Sequence, residues 1–180
     1  MRQFATVEKI IDCLTEYGTR LSSESDEFTE LDHGLQTAAL VSVAAPHDLE
    51  LHVAGLVHDI AHPWDAPGQP QHALMGADAV RSVLGERVAR LVAGHVPAKR
   101  WLVSRDGAYR ALLSEDSIMT LAAQGGDMSD VEVGWFESLT DWQDMVKLRR
   151  ADDGAKVPGA QAPGLGAYVN TLRAVAAARR

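Results

Sequence analysis

A histidine followed directly by an aspartate stands inside an apolar stretch of this chain. His58 and Asp59 belong to the run LVHDIAH, and residues 51–60 around them are rich in Val, Leu, Ala and Ile. Neither side chain is stable in an apolar environment without a compensating partner. An imidazole and a carboxylate together make a good pair of ligands for a divalent transition metal. The pair therefore predicts a metal site, or else an extended hydrogen-bond network.

Further histidines and a late aspartate extend this pair to a set with the composition of a metal centre. Imidazole and carboxylate together suit Fe, Mn, Zn or Ni rather than Ca. Six such groups are more than one tetrahedral site needs, and they suffice for two ions if Asp59 bridges them. His47 and His52 are left out: His52 is about 600° of helical rotation from His58 and faces away from it. The candidate ligands are His33, His58, Asp59, His72, His95 and Asp152.

The elements that must position these residues are predicted to be helices, because apolar residues recur at three- and four-residue steps. Asp48 is the expected N-cap of the helix that leads to His58. Loops are expected at the Pro-rich segment 63–70 and the Gly/Pro-rich segment 152–166. The chain is predicted to be one all-α domain, 1–180, with helices over 3–17, 33–45, 48–61, 71–84, 86–94, 97–103, 115–123, 129–137, 139–150 and 167–178.

Composition narrows the class of protein. The 180 residues carry a net charge of −8, which disfavours nucleic acid as a partner. The single cysteine, Cys13, excludes an internal disulfide and suits the cytoplasm. There is no apolar run of about 20 residues and no charged-then-apolar leader, so neither a membrane span nor a signal peptide is expected.

The order His33, His58-Asp59, Asp152 resembles the H…HD…D signature of the HD-domain superfamily, most of whose members are metal-dependent phosphohydrolases. The chain further resembles the mixed-valent di-iron oxygenase branch of that superfamily, above all the family of glycine-forming 2-amino-1-hydroxyethylphosphonate dioxygenases. The similar segments run in the same order over residues 31–159. They are LDHGLQ, GLVHDIAH, QHALMGAD, GHVPAKRWLVS, QGGDM, KLRRADD and KVPG.

The resemblance implies roles for these residues. His33, His58, Asp59 and Asp152 would hold one iron, and His72, His95 and the bridging Asp59 would hold the other. His62, Lys99, Ser117, Gln124 and Arg149 would surround the substrate, with Asp59, His62 and Lys99 taking part in catalysis. Helical spacing agrees, because Lys99 follows His95 by four residues and Arg149 precedes Asp152 by three.

Two positions depart from the family pattern. In these oxygenases a tyrosine and a glutamate before the first histidine gate the iron. Here Ser23 and Asp26 stand at those positions, and Glu24 and Glu27 are neighbouring acids able to take over the role.

The resemblance implies an oxygenase with two irons, Fe(II) and Fe(III), and with O₂ as co-substrate. It would cleave the carbon–phosphorus bond of a small 1-hydroxyphosphonate and release phosphate and a carboxylic acid. The alternative is a metal-dependent phosphohydrolase that acts on a phosphate ester with the same ligands. A third hypothesis is a catalytically inactive HD domain that serves as a binding module.

Overall fold

The computed structural model describes residues 3–22, 25–65 and 71–179. These residues form nine α-helices and one short hairpin, which confirms the predicted all-α class. The α-helices are α1 Val7–Tyr17, α2 Glu30–Ala44, α3 Leu49–Val57, α4 His72–Leu84, α5 Glu86–Arg105, α6 Glu115–Ala123, α7 Asp130–Glu137, α8 Trp142–Gly154 and α9 Leu165–Ala178. Two 3-10 helices lie between α-helices: His62–Trp64 follows α3, and Tyr109–Leu112 follows α5.

Helix α3 lies at the centre of the bundle. Every residue from Leu51 to Val57 is buried, and the helix packs on α2, α5, α8 and α9. As predicted, Asp48 caps it, because the carboxylate accepts the amide hydrogen of Leu51 at 3.0 Å. At Gly34 of α2, a Cβ would stand only 2.7 Å from the carbonyl oxygen of Leu56. Glycine therefore lets α2 and α3 approach closely just beside His33.

The predicted helix over 48–61 is too long at its C-terminal end. Helix α3 ends at Val57, and residues 58–61 form a turn that leads into the 3-10 helix His62–Trp64. His58 is the C-cap, so His58 and Asp59 lie on this turn rather than on a helix. The turn frees Asp59 from the direction that a helix would impose on its side chain.

The predicted break between 86–94 and 97–103 is also wrong. Helix α5 is continuous over 20 residues and contains Pro97 in its interior. Proline removes one backbone hydrogen bond and usually kinks or ends a helix. Here ten buried residues of α5 anchor the helix on both sides of Pro97. The continuous helix carries both His95 and Lys99.

The C-terminal half of α8 extends further than predicted. The helix runs over Trp142–Gly154, so Asp152 stands in its last turn and not in the following connection. Arg149 and Asp152 therefore share one helical face.

A short antiparallel hairpin precedes α2, where no strand was predicted. Leu21–Ser22 forms β1 and Ser25–Thr29 forms β2, with Leu21 paired to Thr29. Thr29 then caps α2 in a reciprocal capping box with Asp32, one residue before His33. Within the described ranges, no helix is both long and apolar enough to cross a membrane.

Candidate metal and substrate site

The structure brings three of the predicted ligands together, two from helices and one from the turn after α3. His33 lies in α2, His58 caps α3, and Asp152 lies in α8. One possible ligand atom from each of the three side chains lies within 4.8 Å of the other two. The Nε2 atoms of His33 and His58 are 3.2 Å apart. Asp152 Oδ1 is 3.3 Å from His33 Nε2 and 3.8 Å from His58 Nε2. All three side chains are buried.

Asp59 joins this first ligand set to a second one. Its Oδ2 atom lies 3.3 Å from His58 Nε2 and 3.6 Å from His33 Nε2. Its Oδ1 atom lies 3.6 Å from Nε2 of His72, in α4, and 3.6 Å from Nε2 of His95, in α5. The two carboxylate oxygens thus face two different pairs of histidines. This is the geometry expected of a bridging carboxylate.

The outer nitrogens of the four rings all contact acceptors. Carbonyl oxygens and carboxylates accept hydrogen bonds, so each Nδ1 carries a proton and each Nε2 is the inward nitrogen that could bind a metal. The contacts of Nδ1 are His33 with Ala155 O at 3.3 Å, His58 with Gly55 O at 2.9 Å, His95 with Val92 O at 2.7 Å, and His72 with Asp65 Oδ2 at 2.7 Å.

Paired lone pairs at these distances repel one another unless a positive charge lies between them. The Nε2 atoms of His72 and His95 are 3.3 Å apart. Burial lowers the pKa of His95 to about 3, so this ring is neutral. Asp59 Oδ1 is buried and makes no hydrogen bond within the described part of the chain. Two lone pairs and an unpartnered carboxylate oxygen therefore converge on one point, and this donor set fits a metal cation.

In the first ligand set the pKa of a histidine is raised, whereas in the second set the pKa of His95 is lowered. Burial alone would lower the pKa of His58, but the carboxylates of Asp59 and Asp152 outweigh it and raise this pKa well above its ordinary value. Burial would raise the pKa of Asp152, yet Arg149 and the histidines hold it well below its usual range. A proton and a metal ion would compete for the same His58 lone pair, so metal binding there would displace this proton.

A group of cations surrounds Ser117 beside the first ligand set. Lys99 Nζ donates to the carbonyl oxygen of Ser117 at 3.3 Å and to Thr120 Oγ1 at 3.0 Å. The Ser117 hydroxyl lies 3.5 Å from an Arg149 nitrogen and 3.4 Å from Lys156 Nζ. Lys99, Ser117 and Arg149 are almost fully buried. Buried cations around one hydroxyl form a site for a compact anion.

Other residues hold Arg149 in place. Its guanidinium donates to Asp152 Oδ2 at 2.8 Å and to the Tyr109 hydroxyl at 3.1 Å, and it pairs with Asp153. The buried Tyr109 hydroxyl in turn donates to Asp153. Asp152 thus contacts the histidines with one oxygen and Arg149 with the other, so it links the candidate metal ligands to the cationic group.

Sequence reasoning missed several of these residues. Asp153, in KLRRADD, and Lys156, in KVPG, stand close to the candidate ligand Asp152 in the chain, and this closeness was the available signal. Tyr109 and Asp65 lie in segments without a motif and carried no comparable signal. Thr120 was detectable as one turn beyond Ser117 on α6.

Burial changes the ionisation of Lys99. Removal from water, reinforced by the nearby Arg149, lowers the pKa of Lys99 to about 7. A dianion bound at Ser117 would reverse this effect, because it would supply the missing counter-charge.

The remaining predicted site residues are His62, Gln124 and the possible gate residues Ser23 and Asp26. His62 opens the 3-10 helix; its Nδ1 is 3.3 Å from Glu30 Oε1, and its ring packs edge-on against His72. Burial would lower the pKa of His62, but the bond to Glu30 and the charge of Asp59 raise it to about 9. Gln124 caps α6, and its buried Oε1 has no hydrogen bond among the described residues. Of the possible gate, Ser23 lies outside the described residues, and Asp26 is described only as part of β2.

The chain is similar to proteins that are named as phosphonate dioxygenases. The chain is 34% identical over 171 residues to a hydroxymethylphosphonate dioxygenase of Gimesia maris, covering 90% of this chain and 84% of that protein. It is 29% identical over 143 residues to a glycine-betaine-forming 1-hydroxy-2-(trimethylamino)ethylphosphonate dioxygenase of Leisingera caerulea, covering 75% and 72% of the two chains. No protein-family model matches the chain. The extent of these similarities confirms the resemblance seen in the motifs: the chain belongs to the HD-domain phosphonate dioxygenase family.

Proposed function

We propose that this protein uses O₂ to cleave the carbon–phosphorus bond of a small 1-hydroxyphosphonate, and that it does so with two iron ions. The observation that carries the proposal is the position of Asp59, with one oxygen directed to each pair of histidines. The relatives named as phosphonate dioxygenases support the same activity. The phosphohydrolase alternative has no comparable support from these relatives.

The ligand sets would hold the two ions through His33, His58, Asp59 and Asp152 on one side and Asp59, His72 and His95 on the other. When bound, the ions would supply O₂ activation and would act as Lewis acids toward the substrate hydroxyl. The protein itself would supply orientation, counter-charge and exclusion of water.

The cations at Ser117 would bind the phosphonate. Lys99 and Arg149 would donate charge-assisted hydrogen bonds to its oxygens, and the Ser117 hydroxyl would complete the set. Lys156, at 3.4 Å from Ser117 Oγ, would add a third positive charge. Because Asp152 contacts both Arg149 and the first histidines, the reacting carbon would be held beside the metal ligands.

His62 and Gln124 would line the remaining side of the substrate. Glu30 engages His62 Nδ1, and the pKa of about 9 means that His62 Nε2 would present an N–H to the substrate near neutral pH. The unpartnered oxygen of Gln124 would accept a hydrogen bond from bound substrate or water.

Hydroxymethylphosphonate is the first substrate to test, because it is the substrate named for the 34%-identical relative. Its oxidation by one O₂ balances as formic acid plus phosphoric acid, with one oxygen atom entering each product. The trimethylamino compound of the second relative is the natural comparison.

The test combines metal analysis with substrate turnover. Protein purified anaerobically and then partly oxidised should contain about two irons per chain, with an EPR signal from a coupled Fe(II)/Fe(III) pair. Hydroxymethylphosphonate should then give O₂ uptake, formate and phosphate in equal amounts. Zinc, nickel or manganese without that signal, together with turnover of phosphate esters, would favour the phosphohydrolase instead.

A further inference from the structure

The four proposed ligand histidines differ in the group that accepts a hydrogen bond from Nδ1. Backbone carbonyls accept the outer N–H of three of the rings, whereas an aspartate carboxylate accepts that of His72 at 2.7 Å. A charged acceptor forms a hydrogen bond roughly twice as strong as a neutral one and makes the ligating nitrogen more basic.

That aspartate, Asp65, is placed to hold the start of α4. It follows the 3-10 helix His62–Trp64 and is largely buried. Its Oδ2 atom contacts the His72 ring, and its Oδ1 atom accepts the backbone N–H of Gln71 at 2.7 Å. One carboxylate thus fixes the first residue of α4 and the residue before it, across a connection of five residues.

We propose that Asp65 is the positioning residue of the second metal position, where it orients His72 and makes the two positions chemically unequal. The inference rests on the proposed dinuclear centre. At the first position, the ligand Asp152 shares its carboxylate with Arg149 at 2.8 Å, which withdraws negative charge from the ligand. At the second position, Asp65 adds negative charge through His72. The second position therefore binds a cation more tightly with Asp65 present and stabilises a higher charge on it.

A different use of the same residues is a third cation site. Atoms of His62, Asp65 and His72 also lie within 4.8 Å of one another. Such a site would need the Nδ1 atom of His72, which Asp65 already engages at hydrogen-bond distance. His72 would then bind metals through both ring nitrogens. Metal stoichiometry separates this use from a positioning role.

The first measurement is iron content and affinity in three variants. Asp65→Ala should reduce bound iron from about two to about one per chain, with the second ion weakened roughly 10–100-fold. Asp65→Asn keeps an acceptor for the His72 ring and should retain both ions. Asp78, a partly exposed residue of α4 that pairs with Arg81, supplies the matched control, and Asp78→Asn should equal the wild type. Helical circular dichroism checks that each variant folds.

The second measurement reports charge rather than structure. In Asp65→Asn, loss of the negative charge should move the midpoint potential of the iron pair to a more positive value, and Asp78→Asn should leave it unchanged. An unchanged potential in Asp65→Asn, or two tightly bound ions in Asp65→Ala, overturns the inference while the dinuclear proposal stands. Three ions in the wild type would show that Asp65 is itself a ligand and would overturn its positioning role. A wild type that binds fewer than two ions overturns both proposals.

Discussion

The candidate ligand histidines are buried, and each also directs one ring nitrogen toward the other candidate ligands. His58 is fully buried, and its Nδ1–H donates to the Gly55 carbonyl, so that Nε2 faces the other candidate ligands. His52, one turn and a half earlier in the chain, is also buried, but its Nε2 contacts the Ala45 carbonyl at 2.8 Å and faces no other ligand. Burial alone therefore does not distinguish a candidate ligand from a core histidine; the position of a ring nitrogen beside other candidate ligand atoms does.

His58→Ala should remove most of the bound metal and leave the helical fold largely in place. The substitution deletes one ligand of the first position, and it takes away a neighbour of the bridging Asp59. His52→Ala is the matched control, because it removes a buried imidazole without touching a proposed ligand. Metal analysis after gel filtration and helical circular dichroism give the comparison. Full metal content in His58→Ala would contradict the ligand assignment.

Substrate binding should weaken at alkaline pH, because Lys99 then loses its proton. Its lowered pKa of about 7 means that the folded, substrate-free protein favours the neutral amine at higher pH. A phosphonate needs the charged form, so KM should rise by up to about tenfold per pH unit above that pKa. Lys99→Arg remains charged and should flatten this limb, which separates Lys99 from the ionisation of the substrate itself.

Lys99→Ala should raise KM by roughly 10–100-fold, the value of one charge-assisted hydrogen bond, without loss of metal. An unchanged KM in this variant would remove Lys99 from the proposed substrate site.

At the scale of helices and strands, the sequence predicts the features that depend on neighbouring residues in the chain. The apolar spacing gave the helices, and Asp48 marked the start of α3 because its cap is a local hydrogen bond. The continuity of α5 through Pro97 was not predictable, since it depends on packing along both halves of the helix. The hairpin before α2 was missed for a related reason: Phe28 is its buried anchor, and the polar residues around it show no alternation.

The candidate site likewise has one part that the sequence predicts and another part that it does not. The motif residues His33, His58-Asp59 and Asp152 could be named from their order, and the structure brings them together. The partners that orient them could not. Three of the outer acceptors are backbone carbonyls, which no side-chain pattern reveals, and the fourth depends on how the chain returns from His62 to α4.

Arg87 connects three elements outside the site. It lies in α5 and pairs with Asp48 at the start of α3 at 2.6 Å, and with Asp141 and Asp144 at the start of α8. Arg87→Met should lower the free energy of unfolding by about 2 kcal/mol at pH 7, a value reduced by partial exposure to water. Arg81→Met is the control, because its partners are exposed, and it should leave stability nearly unchanged.

The Arg87 contribution should also depend on pH. The hydrogen bond from Arg87 lowers the pKa of Asp48, and Arg90 and Arg87 lower that of Asp141 against the opposing effect of burial. A depressed carboxyl pKa stabilises the fold above its ordinary value and loses that effect as the pH falls through the folded pKa. The difference between wild type and Arg87→Met in urea unfolding should therefore be full at pH 7 and shrink below about pH 4. A difference that is constant down to pH 2 would contradict this account.

At the scale of the whole molecule, the proposed metal centre is also the point where the core helices meet. Its ligands come from α2, α4, α5 and α8 and from the turn after α3, so bound ions would cross-link most of the bundle. Without cations, the inward lone pairs and the Asp59 oxygen face one another in a buried space. Metal should therefore stabilise the folded chain far more than the unfolded one.

Removal of metal should lower the Tm markedly. Ligand present at about 100 times its Kd stabilises a folded protein by about 2.7 kcal/mol, which for a chain of this size corresponds to roughly 5–10 °C. Calorimetry of the iron-loaded protein with and without a chelator measures this shift. His58→Ala, already depleted of metal, should show little further change on chelation. Equal Tm values for loaded and chelated wild type would mean that the helices reach this arrangement without ions, and the six side chains would then have to be held by the hydrogen-bond network alone.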